Sequence, residues 1–253
     1  MRSVDTAMEV FEAIARHQPI GLSALAREVG APKATVQRCL NTLAGRRWIV
    51  QDLLGAGRWT VSVQHAFLAE PPPRLQTVRS IVHPLLPGLR ERIGGHAALF
   101  TIDGDRMVMI DGYEGATAVT NLEAQLGRFP IHASGAGRAM LAALTASRQR
   151  ELIARLHRQG MASYTARTTV DPDALSAAVR EARRLGWAVV DGEFLPSIAT
   201  VGAAITGPGG TPVAAISAIT TDPATPDALR GIGREVAATA RAVTDELGRL
   251  PDP

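Results

Sequence analysis

The chain has 253 residues, of which 46% are hydrophobic and 20% charged. That composition excludes whole-chain disorder and is enough for one large domain or two ordinary ones. No apolar run approaches the ~18 residues of a membrane-spanning helix. The opening Met1-Arg2-Ser3-Val4-Asp5 has no secretory-signal pattern, and Cys39 is the single cysteine. A cytoplasmic protein without disulfide, metal or other cofactor is expected. The formal charge of +3 is confined to residues 1–69, which hold eight Lys/Arg against five Asp/Glu, whereas residues 70–253 hold nineteen of each sign. A polyanion is a natural partner for an excess so placed, although a solvated surface explains three charges equally well.

In chain order, Val4, Met8, Phe11 and Ile14 recur at helical spacing, and His17-Gln18-Pro19 ends that helix. Ser23 is placed to cap a short second helix with Leu25, Ala26 and Val29 inward, and Gly30 to take a left-handed terminal position. Pro32 suits the first turn of a third helix, whose apolar stripe is Val36, Cys39, Leu40 and Leu43. Then Trp48-Ile49-Val50-Gln51 and Arg58-Trp59-Thr60-Val61-Ser62 read as strands around Gly55-Ala56-Gly57. The result is a helix-turn-helix followed by a hairpin wing.

At 100° per residue the third helix turns Ala34, Arg38, Asn41 and Gly45 away from its stripe, with Gln37 and Thr42 on the flanks. Arg suits a guanine edge, Asn or Gln an adenine edge, and a small Ala34 permits close approach. Lys33, the only lysine, and Thr35 lie in the first turn, where side chains and free N–H groups meet phosphates. For an isolated helix these would simply be solvated polar positions; the helix-turn-helix context on the basic part of the chain favours DNA. Cys39 points into the stripe and reads as core.

Pro71-Pro72-Pro73 should run as a stiff extended linker. Residues 74–93 form a linker helix through Val78, Ile81, Val82, Leu85, Leu86, Leu89 and Ile93, with Pro84 and Pro87 threatening a kink. Ala97 to Ile102, Asp103-Gly104 and Met107 to Ile110 suggest a hairpin. Asp171 as cap, Pro172, then Leu175, Ala178, Val179, Ala182, Leu185 and terminal Gly186 punctuate a helix. Residues 201–205 and 213–219 read as core strands with a turn at 207–210, and 225–249 as a final helix.

Three blocks resemble the IclR-type bacterial transcriptional regulators. The first is the N-terminal piece: Arg2-Ser3-Val4-Asp5-Thr6-Ala7, Leu22-Ser23-Ala24-Leu25-Ala26, and Pro32-Lys33-Ala34-Thr35-Val36-Gln37-Arg38-Cys39-Leu40-Asn41-Thr42-Leu43. The others are His132-Ala133-Ser134-Gly135-Ala136-Gly137-Arg138-Ala139-Met140-Leu141-Ala142 and Leu185-Gly186-Trp187-Ala188-Val189-Val190-Asp191-Gly192-Glu193. The resemblance implies a two-domain α/β chain: a winged helix-turn-helix at 1–69, linker and linker helix at 70–94, and a GAF-like α+β effector-binding domain with a mixed sheet at 95–253. It implies a homodimer or tetramer on double-stranded operator DNA, repressing or activating, and controlled by a small organic-acid effector. The expected DNA contacts are Lys33, Ala34, Thr35, Gln37, Arg38, Asn41 and Arg58. Carried over by position, the effector contacts are Gly135, Ala136, Gly137, Asp191, Thr200 and Ser217.

A glycine-flanked helix start suits a carboxylate, though the same glycines also suit tight packing. Val190, Ser197, Ala204 and Ile219 depart from the family pattern. Val190 and Ile219 make the expected pocket less polar, favouring a partly apolar acid. Asp191 is expected to bond backbone or a ligand hydroxyl rather than the anion. Catalysis finds no support: Met140 stands where a dinucleotide fingerprint needs its third glycine, His132 where a nucleophile elbow needs glycine, and the six histidines form no ligand pair. The remaining alternative is a small-molecule-binding module that does not bind DNA.

Overall fold

The protein is described by a computed structural model over residues 2–51, 57–62, 72–113, 128–220 and 225–250. It divides into two compact units, Met1–Pro71 and Pro72–Pro253. In the first, α1 (Arg2–His17), α2 (Leu22–Glu28) and α3 (Lys33–Gly45) precede the antiparallel strands β1 (Ile49–Gln51) and β2 (Trp59–Val61). Val10, Ala13, Ile14, Leu25, Val36, Leu40 and Ile49 form its core. Gly30, at φ +64°, turns the chain from α2 into α3. Ile20 and Trp59 exchange backbone hydrogen bonds of 3.1 and 2.8 Å, tying the α1–α2 connection to the wing.

Three expectations for this unit are corrected. Val4 and Met8 are 54% and 50% exposed, so the buried stripe of α1 runs through Val10, Ala13 and Ile14 instead. Ser23 lies inside α2, whose N-cap is Gly21 with no side-chain bond. Pro32 precedes the first helical residue and takes the N-cap place. The Gly55-Ala56 part of the wing turn and Pro71 lie outside the described residues.

The second unit opens with α4 (Pro73–Val82), a 3-10 turn at His83–Leu85 and α5 (Leu86–Ile93). Pro73 starts α4, where its missing N–H costs nothing, rather than extending the linker. The tight turn falls on Pro84, which cannot donate an α-helical bond. Six strands follow: β3 (His96–Asp103), β4 (Arg106–Tyr113), β5 (Arg128–Pro130), β6 (Ala188–Asp191), β7 (Ala199–Thr206) and β8 (Pro212–Thr220). They form one sheet in the order β5-β4-β3-β8-β7-β6, and each neighbouring pair is antiparallel. The expected mixed sheet is therefore corrected. Short connections at Gly104 (φ +63°) and at Gly209 and Gly210 (φ +73° and +74°) return the chain directly, and direct return makes partners antiparallel.

Alternation along the strands feeds two apolar layers. Ala97, Leu99, Val201, Ile205 and Ile216 face α4, α5 and the long C-terminal helix α9 (Pro226–Leu247). Phe100, Met107, Ala215 and Ile219 face α6 (Gly135–Ala143), α7 (Ala146–Gln159) and α8 (Pro172–Leu185). Val78, Val82, Leu86 and Leu89 are fully buried on the linker side, each contributing about 1.5–3 kcal/mol by its removal from water. Leu85, expected inward, is 37% exposed because the 3-10 turn breaks the helical phase.

Candidate nucleic-acid interface and ligand site

On α3, Val36, Cys39 and Leu40 are buried, whereas Lys33, Ala34, Arg38 and Asn41 are exposed and Thr35 and Gln37 half-buried. Gln37 Nε2 donates to Asn41 Oδ1 at 2.9 Å, one helical turn away. This pairing restricts both side chains and leaves an acceptor on Gln37 and two donors on Asn41, the combination that reads base edges. Thr42 Oγ1 donates to the Arg38 carbonyl at 3.0 Å, and Arg38 Nη2 reaches Thr35 Oγ1 at 3.5 Å. Arg58 is exposed where the chain enters β2, next to Gly57, whose carbonyl accepts from Gln51 Nε2 at 3.0 Å. All seven residues expected to meet DNA thus lie on one helix and its wing, within one unit.

The expected effector residues divide. The register pairs Thr200 with Ile219 and Gly202 with Ser217, so these four form a patch on the sheet face beneath the start of α6. The approach is close: a Cβ on Gly135 would lie 2.8 Å from the Thr200 carbonyl oxygen and the Gly202 nitrogen, and one on Gly137 would overlap the Ile131 carbonyl. Gly135 N donates to Thr200 Oγ1 at 2.9 Å, and Gly137 N to Ser134 Oγ at 3.2 Å. Ser217 Oγ donates to the Val201 carbonyl at 3.2 Å. Ala136, between the two glycines, is buried. The helix start and both hydroxyls thus already have protein partners.

Asp191 does not join this patch. It pairs with Ala199, while Val190, opposite Thr200, takes the inward position. Its carboxylate accepts from Arg167 Nη2 at 2.9 Å at the exposed edge, where bonding to backbone or a ligand was expected.

Sequence reasoning also missed the ion pair behind the patch. Arg138 and Glu193 are 4% and 8% exposed, with Nη2 and Oε2 at 2.6 Å. Arg138 Nε donates to the His132 carbonyl at 2.8 Å, and Glu193 Oε2 also accepts from Thr169 N at 2.8 Å. Thr165 and Thr168 donate to the Gly192 and Glu193 carbonyls. This network fastens residues 165–169 to the segment after β6. Only the charges of Arg138 and Glu193 within the two C-terminal motifs hinted at it. His132 donates from Nε2 to the Ala162 carbonyl at 3.1 Å. Burial foremost, with the charges of Arg138 and Arg106, holds its pKa below the usual histidine value.

Comparison with known proteins bears on both sites. A helix-turn-helix domain model of IclR type matches residues 3–53, and the model described as "Bacterial transcriptional regulator IclR C-terminal" matches residues 74–245. The chain belongs to the IclR family. It is 30% identical to the transcriptional repressor IclR of Escherichia coli K12 over 221 residues, 86% of this chain and 79% of that protein. Among solved structures, the Thermotoga maritima IclR superposes with a TM-score of 0.77 at 20% identity, covering 98% of this chain and 99% of that one. An IclR homologue from Microbacterium hydrocarbonoxydans, crystallised with 4-hydroxybenzoate, has a TM-score of 0.76 at 20% identity over 96% and 99% of the two chains. This IclR-type chain is accordingly a transcriptional regulator with an N-terminal helix-turn-helix domain and a C-terminal α+β domain of the effector-binding kind. Its relatives are regulators rather than enzymes, and among the described residues no helix is long and apolar enough to cross a membrane.

Proposed function

We propose that this regulator binds a pseudo-palindromic operator as a dimer, with α3 in the major groove. The observation that carries this is the division of α3: its apolar side is in the core, while Arg38 and the bonded Gln37–Asn41 pair stand exposed on the other side. Arg38, Gln37 and Asn41 read base edges, Lys33 and Thr35 hold phosphates with the first turn of the helix, and Arg58 of the wing reaches the neighbouring backbone. A single such module buries too little surface for high specificity, and two-fold symmetry doubles it.

The effector in this reading is a small, partly apolar organic acid, bound where α6 meets β7 and β8. The 4-hydroxybenzoate in the Microbacterium homologue supports the class. Because Thr200 occupies the Gly135 N–H, the carboxylate takes over that donor and the released threonine hydroxyl turns to the ligand. The apolar part lies along Ile219, with Val190 in the neighbouring inward position. Coupling to the linker runs through β4. There Asp111, with its side chain 7% exposed, accepts from Arg79 Nε at 3.1 Å and bonds His83 Nδ1 at 2.9 Å, so a shift of that strand pulls on α4.

Footprinting of the full chain, with and without acids found by thermal shift, tests the reading. Two symmetric half-sites are expected, with occupancy changing about 5- to 150-fold on ligand binding. One asymmetric half-site, or an effector response unchanged in Thr200→Val, contradicts it.

A further inference from the structure

Along the C-terminal half of α6, the second unit has a cavity of about 250 Å³ that opens to solvent. Ala139, Ala142 and Ala143 of α6, Ala182 of α8 and Ala204 of β7 give it a small, smooth lining, and Trp187, Arg183 and Thr206 complete it. Thr206 lies six residues along β7 from Thr200, ~20 Å at about 3.3 Å per residue, and the nearest lining residue of that strand, Ala204, lies two residues from Gly202 of the effector patch. None of the residues expected to bind DNA or effector falls here.

The polar groups at this cavity indicate what it accepts. Arg183 is held rigidly: Nε donates to the Ala142 carbonyl, and Nη2 donates to the Leu144 carbonyl and to Gln149 Oε1, each at 2.7 Å. A guanidinium has five N–H donors, so the two on Nη1 remain without a partner among the described residues. The Thr206 hydroxyl is likewise uncommitted among them. Arg241 of α9 brings a second guanidinium to the rim, with Nη1 3.9 Å from where a Cβ on Gly186 would stand. Two cations beside alanine walls and an indole complement a flat apolar body ending in an acceptor anion. Among the described residues, no carboxylate side chain lines the space.

We propose that this cavity is a second ligand site, taking a single-ring aromatic carboxylate with the ring between the alanines and Trp187 and the carboxylate on Arg183 Nη1. The locked guanidinium keeps the site's entropic cost low, because the cation is positioned before the ligand arrives. Since α6 and β7 run from this cavity to the effector patch, occupation of either site presses on the same two elements.

Trp187 supplies the readout, because the other two tryptophans, Trp48 and Trp59, belong to the first unit. The full-length protein is titrated with benzoate while tryptophan emission and calorimetric heat are recorded. Saturable quenching with matching calorimetric heat is expected in the wild type, and no quenching in Trp187→Phe, whatever the indole contributes to the heat. Ala143→Leu, which fills the cavity, should weaken the quenching titration at least tenfold. Arg183→Gln should do the same, and because Arg183 also holds the end of α6, its melting curve is recorded alongside. Benzyl alcohol, lacking the anion, should not compete. Heat without quenching assigns benzoate to another site and overturns the proposal, as does quenching that survives Ala143→Leu. Failure at the effector patch is read separately, through Thr200→Val, which leaves this cavity untouched.

Discussion

Two helix starts, those of α3 and α6, carry the same surface signal of small residues beside a turn, and the molecule uses them in opposite ways. At α3, Lys33 and Ala34 are exposed and Pro32 contributes no side-chain cap, so the positive end of the helix dipole faces outward. At α6, residues Gly135 to Ala142 are buried, Ser134 caps the helix, and the glycines let backbone meet backbone at β7 and Ile131. A glycine at a helix start is therefore evidence of close approach; at α6 the protein itself fills the approach, so a ligand there has to displace the Thr200 hydroxyl from Gly135 N, whereas Lys33 and Ala34 of α3 already stand exposed.

The sharpest way to break this comparison is to change the side chain by one methyl group at each start. Gly137→Ala should destabilise the second unit by upwards of about 4 kcal/mol, because the Cβ meets the Ile131 carbonyl and the surrounding backbone has nowhere to move. The opposite change at α3, Ala34→Gly, should cost no more than about 1 kcal/mol, the helix-propensity difference. Denaturant midpoints compare the two; similar losses would erase the distinction.

Next in size is the ion pair that anchors the segment after β6. Arg138→Met should cost about 3–5 kcal/mol by leaving Glu193 buried without its cation, and adding Glu193→Leu should recover part of that loss. A double variant no more stable than the single one would show that the packing of Arg138, not its charge, matters. Smaller still, Arg38→Ala should cost about 1–3 kcal/mol in operator binding with little change in protein stability, and should relax base preference at one position of each half-site. A base preference as sharp as that of the wild type would remove Arg38 from direct readout.

The smallest effect is a pH dependence in the second unit. Because the folded state lowers the pKa of His132, the unfolded chain binds more protons from the usual value of 6.5 down to the lowered one. The stability contribution is thus complete above that range and declines as pH falls through it. His132→Gln should flatten this decline in thermal melts taken across mildly acid pH; an unchanged slope would assign it to other groups.

Much of the fold was legible in the sequence, and the exceptions share a cause. Punctuated helices are local facts: Gly30, Asp171 and Gly186 act where their positions indicate, with Asp171 Oδ1 accepting from Ala174 N at 2.7 Å. The inward face of α1 was misjudged because Val4, Met8, Phe11 and Ile14 share a period, but period alone does not say how far along the helix its neighbours extend. α7 went unread although Ile153 and Leu156 make its buried stripe, since charged residues dominate its sequence. Sheet order and the Arg138–Glu193 pair depend on residues far apart in the chain, and nothing local encodes them. For the candidate sites, the exposed polar side of α3 followed from helical geometry. The patch of Thr200 and Ser217 was found by position, but the bonds that already occupy their hydroxyls required coordinates.

The central claim is that α3 presents separate phosphate-holding and base-reading groups, and a salt titration of duplex binding tests it most directly. The wild type, Lys33→Ala and Arg38→Ala are each titrated on the operator and on a scrambled duplex. Lys33→Ala should weaken both duplexes alike and lower the slope of log affinity against log salt by about one for each phosphate left without its cation. Arg38→Ala should lose affinity mainly for the operator and narrow the gap between the two duplexes. Wild-type affinity and slope in both variants would contradict the placement of α3 in the groove.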